Sequence, residues 1–270
     1  MCLAAIAIGR HPRFPWVLAS NRDEFHDRPT APLAWWQPAG GGRAVLSGRD
    51  LSAGGTWLGL TRAGQLALVT NVREPGRFEP GLPSRGDLVP QWLAAPHFDL
   101  ARLQALAETP RNGFNLLAAD LNRDALAWAG NRPPQAVRVA PGLAAVSNAA
   151  LDTPWPKLTR LKTRLDQALR RNATLELLIT SALSALADPT AAPDGDLPAT
   201  GVPLDRERQL SPAFIHMPAA AGHAAYGTRC ATVVIVEQQG TARWVHVLER
   251  RFDAQAVAVG DTRLRWRLAG

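Results

Sequence analysis

Short apolar runs that recur in pairs around turn-forming residues constrain this chain more than any other feature. Cys2 to Ile8 and Trp16 to Ser20 are the first such pair, joined by "GRHPRFP"; each has the length of a strand rather than of a helix. "GGTWLGLTRAGQLALVTNVRE" repeats the form, with Thr56 to Leu60 and Leu66 to Asn71 turning around Ala63-Gly64. "FNLLAADLNRDALAWAGN" does so again, with Phe114 to Leu121 and Ala125 to Ala129 flanking Asn122-Arg123-Asp124. Hairpins pair their strands antiparallel, so this half of the chain predicts an antiparallel sheet system. Two later runs, Ala231 to Glu237 and Ala242 to Leu248, supply strands that complete the sheets begun at the N-terminus.

Helical periodicity appears in two places. "SRGDLVPQWLA" and "DLARLQALAE" predict helices near 85 to 107, broken by Pro96. In "PWPKLTRLKTRLDQALRR" the residues Leu158, Leu161, Leu165 and Leu169 recur at three- and four-residue steps and form one apolar face. Lys157, Arg160, Arg164 and Arg171 fall on an adjoining face, read as a solvated outer surface, and Thr174 to Leu186 predicts a further helix. The stretch "ADPTAAPDGDLPATG" has the composition of a linker. The remainder of the chain beyond it is too small for a core of its own, so residues 1–270 read as a single domain with a surface loop excursion over about 187–225.

Composition excludes several classes. The 270 residues carry a formal charge of +7, and Lys157 and Lys162 are the only lysines. An arginine bias of this kind, alongside abundant alanine and proline, reads as base composition, and no nucleic-acid partner is expected. No stretch reaches the roughly 20 apolar residues that span a bilayer. The apolar run from Cys2 to Ile8 lacks the basic segment of a signal peptide, so a cytoplasmic location is expected. In that reducing setting Cys2 and Cys230 are not expected to form a disulfide, and no zinc pattern surrounds them. The six histidines show no metal-ligand spacing, and "GGGR" and "SAGG" lack the ending of a phosphate loop. Among nine tryptophans most read as core, with some lining an apolar ligand pocket.

The position of Cys2 is chemically suggestive. Removal of the initiator methionine makes it the first residue, with a nucleophile and an amine base on one side chain and backbone. The α-amino group has a pKa of about 7.7–8.0 against about 8.5 for a thiol, so a neutral amine can accept the thiol proton without a histidine. If the first two strands form a hairpin, Asn21 to Glu24 returns to the level of Cys2. Asp23 is then the expected carboxylate partner of the amine. Alternation in an undistorted strand separates Asn21 and Asp23 from Arg22 and Glu24, which admits Arg22 to the site only if the strand bends. Arg22 and Glu24 read equally well as an ion pair that stitches the hairpin. Cys230, in an apolar run, reads as core.

"MCLAAIAIG" followed by "LASNRDEFHDRP" resembles the NRDE family, also called the transport and Golgi organisation 2 family. "GGTWLGL", "LVTNVREPG", "SRGDLV", "GFNLLAADL", "SNAALDTPWPK", "TGVPLDRERQLSPAFI" and "YGTRCATVVIV" extend the resemblance over nearly the whole chain. It implies an α+β fold like that of the N-terminal nucleophile hydrolases, a four-layer αββα sandwich of two stacked antiparallel sheets flanked by helices. Within that group the chain looks most like penicillin V acylases and bile salt hydrolases, cysteine enzymes that cleave C–N amide bonds. The resemblance makes Asn71 and Asn148 candidates for oxyanion and substrate-orienting roles, and Arg229 for a charge near the thiol. Asparagine at these predicted strand ends also caps turns, and Arg229 can equally be a structural partner of Asp23 or Glu74. One departure is visible: the acylases carry arginine three residues before the aspartate, whereas Arg22 precedes Asp23 directly.

Two functions emerge as expectations. In one, the protein hydrolyses the amide bond of a small acylated substrate, with Cys2 as nucleophile, Asp23 orienting the amine, and no cofactor required. In the other, it is a non-catalytic carrier of an acidic, partly apolar ligand, since the family has been connected with haem trafficking and with acyl-CoA or lipid metabolism. Haem is then a ligand that a cysteine can bind. Fold alone does not choose between them.

Overall fold

A computed structural model describes residues 2–38, 41–95, 97–171, 174–220 and 222–268. In chain order the first half contains β1 (Cys2–Ile8), β2 (Trp16–Phe25), β3 (Thr30–Trp36), β4 (Val45–Asp50), β5 (Leu58–Leu60) and β6 (Gln65–Asn71). Helices α1 (Leu88–Leu93) and α2 (Leu100–Ala107) come next, then β7 (Phe114–Asp120), β8 (Ala125–Asn131), β9 (Pro134–Val139) and β10 (Gly142–Val146). The second half holds α3 (Pro156–Arg171), α4 (Leu175–Leu186), α5 (Leu204–Leu210), β11 (His216–Met217), β12 (Tyr226–Gln239), β13 (Ala242–Phe252) and β14 (Ala258–Arg267). The expected helix break at Pro96 lies outside the described residues.

Among the described residues the strands form two seven-stranded antiparallel sheets. One runs β10-β1-β2-β12-β13-β14 with β11 beside β12, and the other runs β3 through β9 in sequence order. Three apolar layers hold the fold together. Ile6, Leu18 and Val234 of the first sheet meet Leu46, Leu68 and Leu117 of the second. Leu3, Val17 and Val233, on the opposite face of the first sheet, pack against Leu161 and Leu165 of α3 and Leu178 of α4. Val69 and Leu116, on the outer face of the second sheet, pack against Val89 and Trp92 of α1 and Leu103 of α2. The result is the four-layer αββα sandwich. It explains why β1 reads as an unbroken apolar run: both of its faces are covered, and all seven residues are buried.

Three sequence expectations change. The second strand continues past Ser20 to Phe25 and carries the whole tetrad: Asn21 and Arg22 pair with β1 and with β12, and Asp23 and Glu24 pair with β12. The segment 187–225 is no simple loop, because it carries α5 and β11 and is tied to the helices. The Phe214 amide closes the segment on itself by donating to the Asp188 carbonyl at 2.9 Å, and Lys157 Nζ of α3 donates to the Leu210 carbonyl at 3.0 Å. The basic face of α3 is solvated only in part, at Arg164 and Arg171. Arg160 and Arg164 both pair with the buried carboxylate of Asp188, at 3.4 Å each, and Lys157 is 2% exposed. No helix among the described residues is long and apolar enough to cross a membrane.

The α3 face supplies a direct check on the layer that backs β1. Leu161→Ala is expected to lower stability by about 2–5 kcal/mol through the cavity it leaves. Gln167→Ala, on the exposed side of the same helix, is expected to change it by no more than about 0.5 kcal/mol. Urea unfolding of the two variants measures both.

Candidate active site

The β1–β2 ladder sets the site. Its register places Cys2 directly opposite Arg22 and Leu3 opposite Asn21. Directly opposed residues share a face of the sheet. Cys2 packs with Ala4 and Ile6 on the face between the sheets, so Arg22 stands on the thiol's side without any bend in the strand. The condition that the sequence attaches to Arg22 is thereby corrected: alternation along β2 holds, but the thiol belongs to Arg22's face rather than to Asp23's. Asn21 lies on the helix face, where its Nδ2 donates to the Leu186 and Ala213 carbonyls at 2.9 and 2.8 Å.

Asp23 is buried on that same helix face, and a bulge in β12 helps to place its partner. The β2–β12 register slips between Thr228 and Cys230, so Thr228 turns to the side opposite to the one strict alternation would give it. Its Oγ1 donates to the Asp23 carboxylate at 2.8 Å and accepts the Ile215 amide at 3.0 Å. Burial pushes the Asp23 carboxyl above its usual range, while the nearby Lys157 ammonium pulls it back. Burial also lowers Lys157 to about 8, against the attraction of Asp23. Lys157 is therefore a site-side residue hidden in a helix. A signal for it exists in the sequence, because it precedes Leu161 by four residues and Leu165 by eight, on the apolar face.

On the other face, Cys2, Arg22, Trp57, Asn71 and Arg85 line a cleft of about 360 Å³. The Arg22 guanidinium lies 4.3 Å over the Trp57 ring and donates to Thr30 Oγ1 at 3.1 Å. It makes no ion pair with Glu24, which accepts the Phe25 amide instead. The thiol is 6% exposed. Burial pushes it up from its ordinary value, Asp23 and Glu24 push the same way, and Arg22 opposes them. A thiol in that setting is neutral until a base removes its proton.

The two candidate asparagines meet at the cleft wall. Asn148 Nδ2 donates to the Asn71 side-chain oxygen at 3.0 Å and to the Asn71 carbonyl at 3.1 Å. With its oxygen so occupied, the Asn71 amide keeps its Nδ2 as the donor end; that group otherwise makes only a long bond of 3.3 Å to the Val72 carbonyl. Ser147 Oγ joins the cluster, with the Cys2 carbonyl at 3.3 Å and the Asn148 side-chain oxygen at 3.2 Å. Asn71 lines the cleft, and Asn148 is buried behind it.

Arg229 is placed elsewhere. As the extra residue of the β12 bulge it points its Nη1 at the carbonyls of Phe25, His26 and Arg28, at 2.8, 3.3 and 3.1 Å. It lines a separate cavity with Cys230 and Glu249. Arg85, in contrast, is not singled out by its sequence, yet it lines the cleft. Its Nη1 donates to the Gly113 carbonyl at 3.2 Å.

Comparisons with known proteins bear on the family of the chain. The family model described as Transport and Golgi organisation 2 matches residues 1–254. The mouse Transport and Golgi organization 2 homolog is 34% identical over 236 residues, which is 83% of this chain and 83% of that protein. Among solved structures, a Caenorhabditis elegans ortholog of N-acylethanolamine-hydrolyzing acid amidase aligns over 87% of this chain and 92% of its own, with 10% identity and a TM-score of 0.47. The C2A mutant of the conjugated bile acid hydrolase from Clostridium perfringens aligns over 98% and 96%, with 9% identity and a TM-score of 0.44. On the family model and the length and identity of the match to the mouse homolog, the chain belongs to the Transport and Golgi organisation 2 family.

Proposed function

We propose that the protein is a cysteine N-terminal nucleophile hydrolase that cleaves the C–N amide bond of a small acylated substrate. The observation that carries this reading is the place of Cys2: the second residue of the chain sits at the floor of a cleft, opposite Arg22 and beside an asparagine pair. Removal of Met1 frees the Cys2 amine. That amine takes the thiol proton as Sγ attacks the carbonyl carbon, which answers the need for a base created by burial of the thiol. Asn71 Nδ2 stabilises the oxyanion, held in orientation by Asn148. The protonated amine then returns its proton to the leaving nitrogen as the C–N bond breaks. Water, deprotonated by the same amine, attacks the thioester carbonyl; the C–S bond breaks, the acyl group leaves as a carboxylic acid, and the amine returns its proton to the departing Cys2 thiolate.

Asp23, which also lines the cleft, and Lys157 behind it serve this chemistry. The carboxylate orients the amine, Thr228 orients the carboxylate, and the Lys157 ammonium offsets the cost of burying that negative charge. A second reading, a non-catalytic carrier of haem or of an acyl-CoA or lipid, draws support from the burial of the Cys2 thiol, which pushes its pKa up, beside a cleft of about 360 Å³.

Intact-mass measurement of the purified protein is expected to find Met1 absent. Against a panel of N-acyl amides, Cys2→Ala is expected to abolish turnover, and Asn71→Ala to reduce it by about 10²–10³-fold, as loss of an oxyanion donor does elsewhere. Retained Met1, or turnover that survives Cys2→Ala, would sink the hydrolase reading; ligand binding without turnover in the unaltered protein would favour the carrier.

Lys157 gives a pH test with a definite sign. Its folded value of about 8 lies below the unfolded value of about 10.4. Between these the unfolded chain holds the extra proton, so stability rises with pH across that window. The stability of the unaltered protein relative to Lys157→Met is therefore expected to climb, by on the order of 2 kcal/mol from about pH 7 to about pH 9.5. Urea unfolding at the two pH values measures it.

A further inference from the structure

The cleft at Cys2 does not end at its own wall. A second hollow of about 240 Å³ shares Asn71, Phe78, Arg85 and Asn112 with it. Arg85 and Phe78 thus stand at the waist of a two-lobed groove, with Phe78 an exposed apolar lip.

The two lobes differ in charge. The lobe at Cys2 mixes both signs: Arg22, Arg28 and Arg85 face Asp23, Glu24, Asp50 and Glu79, and Arg28 is consumed by Asp50 at 2.7 Å. Its apolar contribution comes from Trp57, Val69, Leu82 and Pro83. The second lobe contains Arg73, Arg77 and Arg85 against a single carboxylate, Glu74. Glu74 is bound by Arg132 at 2.9 Å, and Arg73 is paired with the buried Glu207.

That leaves Arg77 and Arg85, neither of which has a carboxylate within 4.0 Å among the described residues, the span of an ion pair. A guanidinium has five N–H donors, and Arg85 spends one on the Gly113 carbonyl. Arginine presented in this way matches the planar, bidentate geometry of a carboxylate.

We propose that the groove takes an acyl compound whose other end is a carboxylate, with the acyl chain in the lobe at Cys2 and the carboxylate across the waist on Arg85, assisted by Arg77. This rests on the hydrolase reading for which bond is cut, and it names the substrate class as N-acyl amino acids rather than neutral acyl amides. The amide carbonyl then lies between the lobes, at the end of the first that holds Cys2 and Asn71.

Calorimetric titration with N-octanoylglycine and with its neutral methylamide tests the anion site without asking for turnover, and Cys2→Ala protein removes turnover from the measurement. The carboxylate is expected to bind at least about tenfold more tightly than the methylamide, with the advantage falling as salt is raised. Arg85→Met is expected to erase that preference, and Arg85→Lys to keep part of it. Equal binding of the two compounds, binding of neither, or a preference that survives Arg85→Met in folded protein would overturn the proposal. The ligand comparison on otherwise unaltered protein decides the matter even if Arg85→Met fails to fold. A carboxylate preference, together with no turnover of the same compound by the protein that retains Cys2, would leave the anion site standing and defeat the hydrolase reading alone.

Discussion

The pairing of β1 with β2 is the constraint on which the site depends. Moving that register by one residue would exchange the faces, placing Asn21 or Asp23 opposite Cys2 in the core between the sheets. Burial guards against this. β1 is covered on both sides by different layers, and β2 is clamped between β1 and β12. A slip would drive Arg22 into the leucine layer of α3 and pull Asp23 away from Thr228. The same apolar packing that stabilises the sandwich therefore sets which charged group meets the thiol.

The sheet then acts as a partition between two kinds of chemistry. On the cleft side are the thiol, Arg22 stacked on Trp57, and the asparagine pair. On the helix side are Thr228 and Lys157, with Asp23 bonded to Thr228 at the end of the β1–β2 pairing, where it also lines the cleft. Burying these charges is costly, and the cost is offset only because each is met by an opposite charge or a hydrogen bond. The segment 187–225 supplies part of that compensation through the Leu210 carbonyl on Lys157 and the Glu207 carboxylate on Arg73. A stretch that looks like a linker thus closes the back of the site.

Much of this is legible in the sequence, and the parts that are not have physical reasons. β1, β6, β7 and the core of β12 stand out because a strand buried on both faces is a continuous apolar run. The strands β3, β9 and β14 do not, because they are edge or near-edge strands whose exposed positions carry Pro32, Arg138, Arg263 and Arg265. Asn71 and Asn148, singled out in the sequence only one at a time, are hydrogen-bonded to each other, and of the two only Asn71 lines the cleft. Arg22 is misjudged when alternation is applied within one strand and not across the pair. The placement of Arg229 comes from the β12 bulge, which nothing in "YGTRCAT" announces. That of Arg85 comes from the meeting of two distant loops, a feature that no local pattern encodes.

The proposed hydrolysis makes Cys2 an N-terminal nucleophile whose own amine is its base. Acid-quenched peptide mapping after brief exposure to excess N-acyl amino acid tests that claim at the atom concerned. The expected result is an acyl group on the Cys2 thiol of a chain that starts at Cys2, released by hydroxylamine as a thioester is. A chain that still begins with Met1, or an acyl group found on any other residue, would contradict it.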